Sequence, residues 1–157
     1  MEIKTFFEAS VLLPASPSEV FNFHQNPNNI SAIAPQSLKV LSVKAEPHAT
    51  VGQTFFLRVR QFGVTAEWLG VWETVESPGQ LVDEGVKCPF RYWRHEHIFR
   101  EVEAGTRMVD RVTLIPKGGK LVAILARPML LLFLKKMFHD RHQATRGLFQ
   151  NGGQHLP

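Results

Sequence analysis

The chain has 157 residues, of which 44% are hydrophobic and 20% charged, with a formal net charge of +4. That length suits one packed domain, and the apolar content excludes a disordered segment. The single cysteine, Cys88, excludes an internal disulfide, and the Lys and Arg residues are interspersed with Asp and Glu rather than gathered into a stripe for a polyanion, so no nucleic-acid partner is expected.

Met1-Glu2-Ile3-Lys4 leads straight into a strand pattern instead of an apolar leader, which places the protein in the cytoplasm. Residues 3–13 alternate, with Ile3, Thr5, Phe7, Ala9, Val11 and Leu13 on one face, the period of a half-buried strand. Pro14 ends it. Ser16-Pro17-Ser18-Glu19 then supplies a capping residue, a proline for the first helical position and a glutamate to close a capping box. The helix that follows carries Val20, Phe21 and Phe23 and stops near Asn26-Pro27. A second short helix is expected from Asn29 to Ile33.

From Leu38 to Pro116 the sequence reads as strands at about 38–45, 52–60, 64–76, 80–87, 91–103 and 106–115, divided by turn residues. Pro78-Gly79 suits a type II turn and Ala104-Gly105 a two-residue hairpin. Sequential antiparallel pairing gives a meander. From Leu121 to Phe149 the alternation stops and helix formers take over, predicting one long helix with a kink or early break near Arg127, because Pro128 removes a backbone donor. The organisation expected is therefore α+β: one domain over 1–150, with about seven antiparallel strands curled around a C-terminal helix, and a flexible tail over 151–157. A sheet curled around a single helix leaves a gap, and such gaps are where small-molecule sites occur.

A turn at Ala104-Gly105 pairs Glu103 with Thr106, Phe99 with Asp110, His97 with Val112 and His95 with Leu114. Trp93, His95, His97 and Phe99 then share a face with Met108, Asp110, Val112 and Leu114, while Arg94, Glu96, Arg100, Arg107 and Arg111 share the other. The first face is apolar and aromatic, so it is the buried one. It carries three ionisable groups, His95, His97 and Asp110. Asp110, placed diagonally from His97, can fix an imidazole tautomer. These three are the catalytic candidates if the protein is an enzyme, and otherwise form a structural pair or a polar anchor for a ligand. No metal site is expected, because zinc wants three or four ligands and no Cys or Glu cluster adds to the two histidines. No cofactor is expected either.

Trp68 and Trp72 share a strand face and can floor a pocket. Arg58 and Arg60 alternate with Leu57 and Val59, and an inward arginine would receive an anionic group, although solvated arginines are the default. Cys88, beside Lys87 and Arg91, reads as a packed thiol rather than a nucleophile, since no histidine is tied to it by spacing. The apolar run Met129–Leu134 is too short to span a bilayer, which takes about 20 residues. Core packing is its first reading, with Met129 and Phe133 toward the cavity; a homodimer contact and a peripheral membrane contact follow. The expected ligand-lining set is Trp68, Trp72, Trp93, His95, His97, Phe99, Met108, Asp110, Val112, Met129 and Phe133.

The element order resembles the helix-grip superfamily (SRPBCC) of START lipid-transfer domains, birch-pollen-type allergens and polyketide cyclases. Phe6-Phe7-Glu8-Ala9-Ser10 with Ser16-Pro17-Ser18-Glu19-Val20-Phe21 looks like that family's opening strand and capped helix. Leu81-Val82-Asp83-Glu84, Pro89-Phe90, Trp93-Arg94-His95-Glu96-His97-Ile98-Phe99 and Gly105-Thr106-Arg107-Met108-Val109-Asp110-Arg111-Val112 look like a bacterial polyketide cyclase/dehydrase-like branch. Cys88 stands where that branch commonly has glycine. The resemblance spans the chain to about Phe149 and implies a helix-grip fold that binds a small hydrophobic or amphipathic ligand such as a lipid or polyketide. A cyclase or dehydratase using a His-Asp pair is the alternative, and a helix-mediated membrane or protein interaction module the second alternative.

Overall fold

The structure, a computed structural model, describes residues 2–152; residues 153–157 of the expected tail lie outside them. Strand β1 (Thr5–Leu13) buries Thr5, Val11 and Leu13 and turns Phe6, Glu8 and Ser10 outward, as the alternation requires. Helix α1 (Pro17–His24) starts with the expected capping box: the Glu19 carboxylate accepts the Ser16 N–H at 2.8 Å, and Ser16 Oγ accepts the Glu19 N–H at 3.3 Å. A 3₁₀ turn (Pro27–Asn29) runs into the short α2 (Ile30–Ile33).

The meander follows as β2 (Leu38–Lys44), β3 (Thr54–Gln61), β4 (Val64–Glu76), β5 (Gln80–Lys87), β6 (Tyr92–Val102) and β7 (Gly105–Ile115). Every neighbouring pair is antiparallel, and β1 closes the far side against β7, giving the order β1-β7-β6-β5-β4-β3-β2. The β2–β3 register shifts between Val40 and Ser42. Gly70 sits where any Cβ would fall 2.3 Å from the Phe55 ring, so its bare backbone lets Phe55 lie across β4 against Trp72, ring centroids 5.1 Å apart.

Two turns differ from expectation. Between β6 and β7 the loop is Glu103-Ala104, and Gly105 is already paired, opposite Val102. Gly105 is needed elsewhere: at φ +126° its Cα faces β1, and a Cβ would lie 2.2 Å from the Leu13 carbonyl oxygen. The pairing is therefore displaced by two residues, setting His97 opposite Asp110, His95 opposite Val112 and Phe99 opposite Met108. A two-residue displacement preserves the faces, so Trp93, His95, His97, Phe99, Met108, Asp110, Val112 and Leu114 are all buried together. Between β4 and β5 the Gly79 N–H donates to the Glu76 carbonyl across a cis Ser77-Pro78 bond, a turn with proline in third place rather than the type II turn expected from Pro78-Gly79.

Helix α3 (Gly119–Gln150) packs against β1 and α2 and runs through Pro128 without the break expected near Arg127. The carbonyl that Pro128 leaves without its helical donor belongs to Ile124, in a turn exposed at Ile124, Leu125, Arg127 and Pro128, where water can take its place. The later part of the helix buries Leu134, Phe138, His142 and Thr145, with the Phe138 ring tilted against Phe7 of β1, centroids 5.4 Å apart. Among the described residues no helix is long and apolar enough to cross a membrane.

Candidate functional site

A cavity of about 330 Å³ lies between the concave face of β3–β6, the turn before α2, and α3. Phe55, Leu57, Trp68 and Trp72 form its sheet wall, Ile30 and Ile33 its α2 wall, and Phe133 and Met137 its α3 wall. Trp93 meets Trp68 edge-on at 4.9 Å and stacks on Phe90 at 5.3 Å, which fixes both indoles by packing. One end is polar, where His24, Asp83, His95, His97 and Arg141 converge.

Asp110 organises that end. It is fully buried on β7 and touches three imidazoles: its Oδ1 is 2.9 Å from His95 Nε2, its Oδ2 is 2.5 Å from His142 Nε2 on α3, and His97 Nδ1 lies 2.6 Å from Oδ1, outside the alignment of a good hydrogen bond. Burial alone would raise the Asp110 carboxyl, but His97, His142 and His95 outweigh it and hold the group well below the usual carboxylate range. Asp110 is thus an anion, and each imidazole nitrogen facing it carries the proton, since a lone pair there would meet negative charge. Burial, with neighbouring His95 and against the pull of Asp110, takes His97 down to about 4, and burial likewise lowers His95.

His24, one helix away, donates Nδ1–H to the Val20 carbonyl at 2.8 Å, and burial followed by the charges of His97 and Arg141 takes it down to about 3. Its Nε2 is consequently a buried lone pair with no protein partner among the described residues. Asp83 is the opposite case, a buried carboxyl raised to about 6 by desolvation, which His97 and Arg141 offset only in part. Its nearest imidazole nitrogen is His95 Nδ1 at 3.8 Å.

Of the expected lining residues, Trp68, Trp72, Trp93, His95, His97 and Phe133 face the cavity. Phe99 and Met108 belong to the packed core beside α1, and Val112 to the core under Phe138. Asp110 lies directly behind His97 rather than diagonal to it, reaching the cavity through the imidazoles. Met129 points away and is 69% exposed, because the apolar run turns only part of its circumference to the sheet. Arg58 and Arg60 are solvated while Leu57 and Val59 point inward; the arginine at the cavity is Arg141, from α3. Cys88 is a packed thiol, raised by burial, with Sγ 3.5 Å from the Phe90 carbonyl.

Three members of the polar end, His24, Asp83 and Arg141, and His142 behind Asp110, are not among the residues the sequence points to. Asp83 alone left a signal, being an acidic residue in the Leu81–Asp83 stretch that pairs directly across β5–β6 with His95. It also supplies the third possible ligand that the two histidines lacked: atoms of Asp83, His95 and His97 lie within 4.8 Å of one another.

No family model matches the chain, and neither does any curated protein. Among solved structures, the Zhui aromatase/cyclase from Streptomyces sp. R1128 is similar, with a TM-score of 0.76 at 15% identity over 98% of this chain and 100% of that one. The di-domain aromatase/cyclase StfQ from the steffimycin biosynthetic pathway gives 0.77 at 12% identity, over 96% of this chain and 52% of that one. Ara h 8.0201 gives 0.66 at 14% identity, over 95% and 99%. The chain has the helix-grip fold. At these identities the likeness carries architecture alone, and the site has to be read from its own residues. In this helix-grip chain the cavity occupies the space between sheet and helix that the sheet's curl leaves open.

Proposed function

We propose that the protein binds one small, largely apolar ligand with a polar end, of the lipid or polyketide class, in the cavity under α3. The observation that carries this is the division of the lining: aromatic and aliphatic side chains over most of the wall, and His24, Asp83, His95, His97 and Arg141 gathered at one end. Apolar burial supplies affinity at roughly 25 cal/mol per Å² removed from water, and the polar end sets orientation, since a hydroxyl seated there donates to the bare Nε2 of His24. A volume of about 330 Å³ stands near the lower end of small-molecule sites, about 300–1,000 Å³, and suits one such ligand.

Native mass spectrometry of freshly purified protein tests this, together with titration by a fluorescent naphthylamine probe. The expected result is a single bound molecule that Ala66→Trp, which fills the sheet wall, excludes while the circular dichroism stays unchanged. Probe binding that Ala66→Trp leaves intact would rule the cavity out.

The same wall supports a cyclase or dehydratase reading. His97 faces the cavity with Asp110 behind it, so Nδ1 is the protonated nitrogen and Nε2 is free to remove a proton next to a carbonyl, while Arg141 steadies the oxyanion. His97→Gln would then abolish turnover of a polyketide-type substrate and leave probe binding within about twofold of wild type.

The first half of α3 supports a peripheral contact with an anionic bilayer. Leu121, Leu125, Met129 and Leu132 are each 69% exposed, and residues 116–139 carry Lys117, Lys120, Arg127, Lys135 and Lys136 with no acidic residue. Such a face suits anionic lipid, with about 1 kcal/mol per basic residue at the surface. Flotation with phosphatidylglycerol vesicles, lost on Leu125→Glu with Met129→Glu, is the expected outcome; concentration-dependent dimers without flotation would assign the face to a second copy instead.

A further inference from the structure

We propose that Asp83, His95 and His97 form a binding site for one divalent transition-metal ion at the polar end of the cavity. The site stands independently of which organic ligand the cavity takes.

The backbone places the three donors without strain. Asp83 and His95 are directly opposed across β5–β6, and His97 follows two residues on, so all three side chains leave the same concave face and line the cavity. One ligand atom from each lies within 4.8 Å of the others. Ligands at 2.0–2.2 Å around a tetrahedral ion stand about 3.4 Å apart, so closing the triangle requires side-chain shifts on the order of 1 Å.

The protonation pattern presents lone pairs where a metal needs them. Asp110 Oδ1 faces Nε2 of His95 and Nδ1 of His97, which assigns the ring protons to those nitrogens. His95 Nδ1, on the Asp83 side, and His97 Nε2 remain as free lone pairs. A carboxylate holding the far N–H of each ligating imidazole is the arrangement that orients histidines on metals. Here Asp110 holds His95 in this way and faces the misaligned Nδ1 of His97 at 2.6 Å, and His142 pins its other oxygen from α3.

Asp83 supplies a second, independent observation. Its side chain is nine-tenths buried, yet its carboxylate accepts no hydrogen bond among the described residues: His95 Nδ1 stands 3.8 Å away, and Arg141 of the same polar end acts on it only through space. A buried carboxylate requires a cation or a proton, and an apolar ligand offers neither. A divalent ion bridging Asp83 to the two imidazole lone pairs satisfies all three groups at once. The bare Nε2 of His24, whose ring centroid is 5.4 Å from that of His97, stands at the same end. Two imidazoles and one carboxylate suit zinc, iron(II), cobalt or manganese rather than calcium or magnesium, which take oxygen ligands, and three protein ligands leave positions open toward the cavity.

The test uses full-length protein stripped with chelator and titrated with cobalt(II). Visible ligand-field absorption should rise to an end point at one equivalent and be displaced by zinc(II). Asp83→Asn and His97→Gln should each weaken binding at least about 100-fold, the upper range seen for losing a mere outer partner of a metal ligand. Asp83→Asn removes a buried charge that accepts no hydrogen bond among the described residues, so the metal-free variant should unfold no earlier than wild type, while zinc(II) should raise the melting point of wild type and leave that of the variant unchanged. Folded wild type that gives no cobalt(II) spectrum, or an Asp83→Asn variant that binds as tightly, would overturn the site. The naphthylamine probe, read in the same metal-free samples, separates the two readings: probe binding without cobalt(II) binding defeats the metal site alone, and cobalt(II) binding without probe binding defeats only the apolar-ligand reading.

Discussion

The first half of α3, to Phe133, holds most of the helix's leucines, and its Leu121, Leu125, Met129 and Leu132 stand in solvent. The second half carries lysines, histidines, an aspartate and arginines, and it buries Leu134, Phe138, His142 and Thr145 against the sheet. Apolar content therefore did not decide which half is covered. What decided it was the position of a complementary surface: Phe7 on β1 receives Phe138, and Asp110 on β7 receives His142. A histidine with a carboxylate waiting for it goes inside, while a leucine beyond the reach of the sheet stays outside.

Substitutions sharpen that contrast. The largest loss should come from Phe138→Ala, which empties a fully buried ring site in the second half; equilibrium urea unfolding should show about 3–5 kcal/mol of destabilisation. Close behind it, Asp110→Ala removes the carboxylate that three buried imidazoles face, two of them hydrogen-bonded to it, and should cost about 3 kcal/mol or more, read the same way. His142→Ala leaves one Asp110 oxygen without its donor and should cost about 1–3 kcal/mol. In the first half, Leu125→Ser should change stability by no more than about 0.5 kcal/mol. Should Leu125→Ser prove as damaging as Phe138→Ala, the exposed half must have a partner in solution, and the contrast between the halves would fall.

The sequence made the strands legible wherever local pattern and tertiary demand agreed. Alternation in β1, the Ser16–Glu19 capping box and the separation of the β6–β7 faces all arise from neighbours close along the chain. The Glu103-Ala104 turn is hidden in the sequence because glycine's usual place is within a turn, whereas Gly105 answers to the Leu13 carbonyl, some ninety residues away. The polar end escaped for the same reason. His95, His97 and Asp110 lie on one hairpin, and their company could be counted out from its register, but His24, Asp83, Arg141 and His142 arrive from α1, β5 and α3. An apolar run does not say which side of a helix meets the sheet, so the pattern points Met129 to the cavity while the structure turns it to solvent. Pro128 does not end α3, since an exposed turn lets water replace the missing donor.

The shifted register of β2 has a bearing on how molecules of this protein meet one another. β2 is the end of the sheet opposite β1, so among the described residues one row of its backbone N–H and C=O groups has no strand beside it. An incoming strand would find that row interrupted between Val40 and Ser42 and flanked by the ammonium groups of Lys39 and Lys44. Irregular spacing and like charge both work against edge-to-edge joining, so a sheet long enough to wrap a helix is kept from growing across the boundary between one copy and the next.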